Sequence, residues 1–289
     1  MLTLRLTDSA NLKVTSSNNI HMTNKTYKIA KTLEVQRIGL GTMRLTAGEG
    51  KWGMPPDKQN AIKVLRKAVE IGVDFFDTAN TYGPEISESI IAEALYPYAD
   101  NIVIGTKGGN EIFAPNDVRP NCHPDNLRNT LHGSLRRLKL ERIDLYQLHT
   151  VDPKVEIEFS IEALAKLRDE GKIRFIGVSN IDLQNLKRAL TITKIDSIQN
   201  RYNQIDKSSE TIIRFAEELE IAFFSYYPLA KGELSKNNNF QNKTNGQLTL
   251  AQKSLLWQLK QFSNLIPIPG TTSVDHLTEN FMSLKYLQQ

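Results

Sequence analysis

The stretch from Arg142 to Asn180, RIDLYQLHTVDPKVEIEFSIEALAKLRDEGKIRFIGVSN, decides the architecture. It opens on a short apolar run, RIDLYQLH, and closes on another, IRFIGVSN. Both are near-continuous rather than alternating, as expected of strands buried on both faces in a parallel sheet. Between them, EIEFSIEALAKLRDEGK is an amphipathic helix that stops at Gly171.

The same strand–helix unit recurs in both directions. Upstream lie DKQNAIKVLRKAVEIG (helix, Asp57 as N-cap, Gly72 as stop), VDFFD (strand), SESIIAEALYPY (helix), NIVIGTK (strand) and HPDNLRNTLHGSLRRLKL (helix, Pro124 near its first turn). Downstream lie DLQNLKRALT, IDSIQN, SSETIIRFAEELE, IAFFSYYPL, SLLWQLKQF, LIPIPG and SVDHLTENFMSLKYLQ, alternately helix and strand. Before them all, TYKIAKTLEVQRIGLGT reads as a hairpin leading into a first strand. About eight units predict an α/β chain folded as a (β/α)8 TIM barrel with an N-terminal β-hairpin. Residues 1–26 read as a polar N-terminal tail and residues 27–289 as the barrel. The asparagine-rich segment 231–247 reads as a flexible loop after the seventh strand.

Composition bounds the rest. A chain of 289 residues, 40% apolar, is right for one barrel, although length alone also allows two smaller domains. Its one cysteine, Cys122, permits no internal disulfide and fits a reducing, cytoplasmic compartment. No apolar run approaches the ~20 residues of a membrane span. A net charge of +4, with acids and bases interspersed, reads as a mixed surface and not as a nucleic-acid patch. Cys122, His123 and His132 have no metal-like spacing, so no metal is expected. The oligomeric state is left open.

A barrel carries its chemistry at the carboxyl ends of its strands. Those ends supply Asp77 with Tyr82 just beyond, then Lys107, His149, Ser179 with Asn180, Gln199 with Asn200, and Tyr226 with Tyr227. Singly, each has an ordinary structural explanation, such as a turn cap, a surface charge or a satisfied core histidine. Together they suit one task. A lysine cation favours a nearby phenolate, an aspartate holds the lysine, and a histidine can orient a carbonyl oxygen. Such a set can give a proton to an oxygen becoming an alkoxide, as when a carbonyl accepts hydride. Trp52 reads equally as a substrate wall or a core residue.

FFDTANTYG, IGTKGG, YQLH, IGVSN, QNRYN and IPIPGTTSVDHLTEN, in this order, resemble the aldo-keto reductases from about Arg37 to Asn280. GTMRLTAGEGKWG, GPEISE and YQLHTVDP are most similar to the bacterial branch that includes pyridoxal reductases. The resemblance implies a catalytic tetrad of Asp77, Tyr82, Lys107 and His149, with Tyr82 the proton donor. It implies NADPH (NADP) as cofactor and a small carbonyl compound as substrate, pyridoxal among those to try. Gly41, Thr42, Met43 and Asp77 would border the cofactor. Ser179, Asn180 and Gln199 would hold the nicotinamide carboxamide. Tyr226 would stack on the ring or pack at the barrel rim. Tyr227, Pro228, Leu229 and Gly232 would follow the pyrophosphate. Gly270, Thr271, Thr272 and Ser273 would meet the adenosine phosphate, His276 would join them or stand exposed on the helix, and Glu279 and Asn280 would meet the adenine. GLGTMR breaks the G-x-G-x-x-G fingerprint at Arg44, so no Rossmann domain is expected.

Two departures stand out. Gly270 and His276 occupy positions where many members carry a lysine or arginine for the 2′-phosphate, which keeps NADH in view. The chain ends at Gln289 without the long tail of many relatives, implying a more open mouth. Two rival functions remain: a lyase using Lys107 as a Schiff-base amine, and a nucleotide-binding redox sensor with little turnover. The first needs a neutral lysine, against which Asp77 argues. An intact tetrad argues against the second.

Overall fold

The computed structural model describes residues 24–47, 52–115, 117–236 and 248–287. Strands β1 (Thr26–Ile29) and β2 (Leu33–Gln36) form an antiparallel hairpin, whose first residue, Thr26, is the last of the expected tail. Residues 1–23 of the expected tail lie outside the described residues. Barrel strands β3 (Leu40–Gly41), β4 (Phe75–Asp77) and β5 (Val103–Gly108) follow, with helices α1 (Lys58–Glu70) and α2 (Ile86–Leu95) between them. After β5 comes a second hairpin, β6 (Asn110–Ala114) and β7 (Asp117–Pro120). The alternation then resumes with α3 (Pro124–Leu138), β8 (Ile143–Leu148), α4 (Ile157–Asp169), β9 (Ile173–Ser179) and α5 (Leu183–Ile192). It ends with β10 (Ser197–Arg201), α6 (Glu210–Glu218), β11 (Ala222–Tyr226), α7 (Leu250–Leu259), β12 (Leu265–Pro267) and α8 (Val274–Met282).

Eight strands pair in the order β12-β11-β10-β9-β8-β5-β4-β3, all parallel. Two backbone hydrogen bonds close the ring: Gly39 N–H donates to Pro267 O at 3.0 Å, and Gly41 N–H to Pro269 O at 3.3 Å. The seam is too tight for side chains. A Cβ on Gly41 would stand 2.8 Å from Ile268 O, and one on Gly270 2.8 Å from Gly41 O.

Successive residues of a strand point to opposite faces. Phe75, Val103, Leu145 and Phe224 therefore fill the barrel interior, plugged from below by Ile29 and Val35 of the first hairpin. Phe76, Ile104, Tyr146, Phe223 and Leu265 face the helices. The Phe75 and Phe224 rings stack at 4.5 Å. Gly39 and Gly105 make room for Phe75, since a Cβ on either would lie within 2.9 Å of its ring. Phe75→Ala would empty this layer at a cost of about 3–5 kcal/mol. Stepping two residues up the same faces leads from Phe75 to Asp77 and from Gly105 to Lys107. The pleat thus delivers both side chains to the mouth.

Buried Arg37 ties the barrel base to the end of α7, donating to Leu259 O at 2.9 Å and Phe262 O at 2.6 Å. Burial lowers its pKa to about 10, against the opposing pull of Glu217.

Several boundaries differ from the sequence reading. Thr249 N-caps α7 in a capping box with Gln252, so this helix starts at Leu250 rather than Ser254. The β6–β7 hairpin was not anticipated; its strands are short and only Asn110 in them is buried, with Arg119 over the Phe113 ring and paired with Asp117. Within the expected loop 231–247, residues 231–236 form 3-10 turns with Ala230, and 237–247 lie outside the described residues.

Candidate active site

Lys107 is fully buried at the top of β5. Its Nζ donates to both carboxylate oxygens of Asp77 at 2.8 Å, to Thr78 O at 2.8 Å, and reaches Tyr82 Oη at 3.3 Å. Asp77 also accepts from Gln199 Nε2 at 2.7 Å. Burial lowers the Lys107 pKa, while Asp77 and then Glu88 pull it back up. The sequence reading has Lys107 lowering the Tyr82 pKa. In the structure the phenol instead sits well above its ordinary value. Burial is the main cause, followed by the Asp77 carboxylate and the Tyr227 and Tyr226 phenols. The lysine charge is already matched by Asp77, so the phenol keeps its proton.

A turn presents Tyr82. Tyr82 N–H donates to Ala79 O, Glu85 N–H to Asn80 O, and Ser87 N–H to Tyr82 O. Gly83 in this turn has φ +106°, and a Cβ there would strike Ile86. Trp52 runs alongside, bridged to Gly83 and 39% exposed, which takes it out of the core and places it beside the Tyr82 turn.

His149 follows β8 and packs edge-on against Tyr82, ring centroids 6.1 Å apart. Burial, then the Lys107 charge, pushes its pKa from 6.5 down to about 3, so the imidazole is neutral at physiological pH. Its Nδ1 is buried and has no hydrogen-bond partner among the described residues. Asn180, in the left-handed region at φ +52°, donates from Nδ2 to His149 O at 2.9 Å and accepts at Oδ1 from Tyr226 Oη at 2.8 Å. Ser179 Oγ donates to Gln199 O at 2.8 Å. These polar side chains hold one another in place.

A cleft of about 970 Å³ opens over this cluster and runs across the barrel seam to α8. It is lined by Asp77, Tyr82, His149, Ser179, Asn180, Gln199 and Tyr226 around the cluster, and by Gly270, Thr271, Thr272, His276, Glu279 and Asn280 at and before α8. Gly41, Met43, Tyr227, Pro228, Leu229 and Gly232 also line it. Three expected residues do not line it. Lys107 sits beneath Asp77. Thr42 is fully buried, its hydroxyl turned to Asp77 O at 2.9 Å. Ser273 caps α8, accepting from His276 N–H. Sequence reasoning missed Arg44, Lys231, Thr249, Leu250, Ala251, Ile268 and Pro269 as lining residues. Arg44 had served only to break a glycine fingerprint. Leu250 and Ala251 follow from the capping box, which was legible. No group of three metal-ligating side chains forms among the described residues, and no described helix is long and apolar enough to cross a membrane.

Comparison with known proteins agrees with this geometry. The aldo/keto reductase family profile matches residues 37–247. An uncharacterized oxidoreductase of Schizosaccharomyces pombe is 40% identical over 248 residues, covering 85% of this chain and 80% of that protein. Pyridoxine 4-dehydrogenase of Escherichia coli is 34% identical over 272 residues, covering 91% and 94%. Among solved structures, an aldo/keto reductase from Klebsiella pneumoniae in complex with NADP and acetate aligns with a TM-score of 0.75 at 25% identity, covering 90% and 89% of the two chains. The fold of an aldo-keto reductase from Bacillus halodurans aligns at 0.80 over 90% and 91%. A parallel eight-stranded barrel with this cluster at its mouth, matched over most of its length by these proteins, belongs to the aldo/keto reductase family.

Proposed function

We propose that this chain reduces a small aldehyde or ketone to the alcohol with NADPH, Tyr82 giving the proton. One observation carries the reading: the neutral Tyr82 hydroxyl lines the cleft with the Lys107 ammonium 3.3 Å behind it. The cleft residues fit a nicotinamide dinucleotide. Amide and hydroxyl side chains line it beside Tyr82, Glu279 with Asn280 line it from α8, and at glycines 41 and 270 two backbones come close along its wall. The reduced nicotinamide, when bound, supplies hydride. Everything else is work for the protein. Tyr82 donates its proton to the developing alkoxide. Lys107 then faces the phenolate, and Asp77 with Thr78 O keeps the ammonium in place. Neutral His149 orients the carbonyl oxygen by hydrogen bonding through Nε2, since Nδ1 is buried. Ser179, Asn180 and Gln199 would hold the ring end of the cofactor, and Tyr226 offers an aromatic face beside it.

The relative named pyridoxine 4-dehydrogenase makes pyridoxal the first substrate to try. The structures solved with NADP and with NADPH support NADPH, with NADH as the comparison. A Schiff-base lyase is disfavoured because Lys107 does not line the cleft and its donors are occupied. The test is loss of reduced-nicotinamide absorbance, with NADPH and with NADH, against a panel of aldehydes including pyridoxal. Tight nucleotide binding without turnover on any of them would overturn the reading in favour of a redox sensor.

A further inference from the structure

Ser87 stands in the first turn of α2, is 1% exposed, and does not line the cleft. Its backbone N–H donates to Tyr82 O at 3.0 Å. Its Oγ accepts from Thr78 Oγ1 at 2.9 Å and lies 2.7 Å from Thr42 Oγ1. Thr42 spends its only hydroxyl proton on Asp77 O at 2.9 Å, so Ser87 must be the donor to Thr42. A single directed chain results, from Thr78 to Ser87 to Thr42 to Asp77 O, in which the Ser87 and Thr42 hydroxyls each both give and receive. All three hydroxyl residues are buried, where an unmet polar group is costly.

The members of this chain hold the reacting groups. Thr78 O accepts from Lys107 Nζ at 2.8 Å, and Thr78 N–H donates to Gly105 O at 2.8 Å. The neighbouring Glu88 extends the attachment to β5. One carboxylate oxygen accepts from Thr106 Oγ1 at 2.6 Å and the other from Arg137 Nε at 2.7 Å. The Ser87–Glu88 pair therefore fastens the Tyr82 turn to the strands that carry Asp77 and Lys107.

We propose that Ser87 is a positioning residue for carbonyl reduction, holding Tyr82, Asp77 and Lys107 in register through Thr78 and Thr42. This rests on the catalytic reading above. The placement matters because a misplacement of ~1 Å costs on the order of 100-fold in rate.

The test uses the full chain carrying Ser87→Ala, Thr78→Val, or both, with an aldehyde the parent protein reduces. Removal of Oγ leaves Thr78 without its acceptor and Thr42 without its donor. The expected result is a kcat lower by about 10- to 100-fold in each single variant, with the NADPH Kd from fluorescence titration within about twofold. The deuterium isotope effect with 4-deuterated cofactor rises, because the chemical step becomes slower. The double variant is no worse than the poorer single one, since both cut the same chain. An unchanged kcat and isotope effect in Ser87→Ala overturns the proposal, whatever happens to its melting temperature. A fall in kcat matched by an equal loss of NADPH affinity also overturns it, as a general structural defect. If Ser87→Ala does not fold, Thr78→Val alone decides by the same readings. Tyr82→Phe runs alongside: full activity there sinks the catalytic reading itself, independently of Ser87.

Discussion

Asp77 and Lys107 stand on adjacent parallel strands, with both carboxylate oxygens 2.8 Å from the ammonium nitrogen and neither side chain more than 3% exposed. A pair this deeply buried is costly to break. Removing one partner strands the other charge at about 3–5 kcal/mol. Lys107→Met should therefore lower stability by that order, and Asp77→Asn combined with Lys107→Met should recover part of it. Urea unfolding of the two variants compares them directly. In turnover, Lys107→Met should cut kcat more than it raises KM, because in the proposed reaction the ammonium acts on the phenolate of the transition state. A pure rise in KM would remove Lys107 from that role.

Tyr82→Phe keeps the ring against His149 and deletes only the hydroxyl. Carbonyl reduction should fall by about 10²–10⁴-fold, the usual worth of a placed general acid. NADPH affinity should change little. Because burial holds the phenol well above its usual value of 10.0, the parent protein should show no loss of rate from phenol ionisation below pH 10. Steady-state rates across pH, with parent and variant side by side, examine both statements.

His149 is a stability switch in acid. The unfolded histidine takes a proton below pH 6.5, whereas the folded one does so only near pH 3. The unfolded state thus binds more protons across this window, and stability falls as the pH drops through it. The slope from this residue is about 1.4 kcal/mol per pH unit. His149→Gln should flatten that part of the curve. Chemical denaturation at pH 7 and pH 5 would show equal losses in parent and variant if the residue were not responsible.

Much of this arrangement is legible in the sequence, and the reason is the pleat. FFD and IGTK place their last polar residue two positions beyond an inward-facing one, so strand ends alone bring Asp77 and Lys107 to the mouth. Asn110–Pro120 was not legible because its hairpin buries little and so carries no apolar signature. The roles of Thr42 and Ser87 were hidden for another reason. A hydroxyl within a loop can turn to solvent, ligand or backbone, and only the folded geometry shows both directed to the segment between Asp77 and Tyr82. The resemblance carried Thr42 to the cofactor, yet its side chain faces the protein.

Gly41→Ala should test the barrel seam. Its new methyl would meet Ile268 O at 2.8 Å, forcing β3 and β12 apart. A loss of about 1–3 kcal/mol is expected from such overpacking. Weakened NADPH binding should accompany it, because Gly41, Ile268 and Gly270 all line the cleft. Melting temperature and fluorescence titration read the two effects separately; a stable variant with intact binding would contradict the tightness described for this seam.

The seam also sets an order of events during synthesis. Arg37 and Leu265, hydrogen-bonded beside it, are 228 residues apart. A chain leaving the ribosome therefore carries β3 with an unpaired edge until β12, more than two hundred residues later, has been translated. That edge is only two residues long, which leaves little for a neighbouring nascent chain to grasp. Gly41 and Gly270, which face each other beneath the cleft, meet only when β12 arrives. The molecule thus acquires this cleft in the step that closes its barrel, and if the cleft takes the nucleotide as proposed, immobilised nucleotide would retain closed barrels while passing truncated ones.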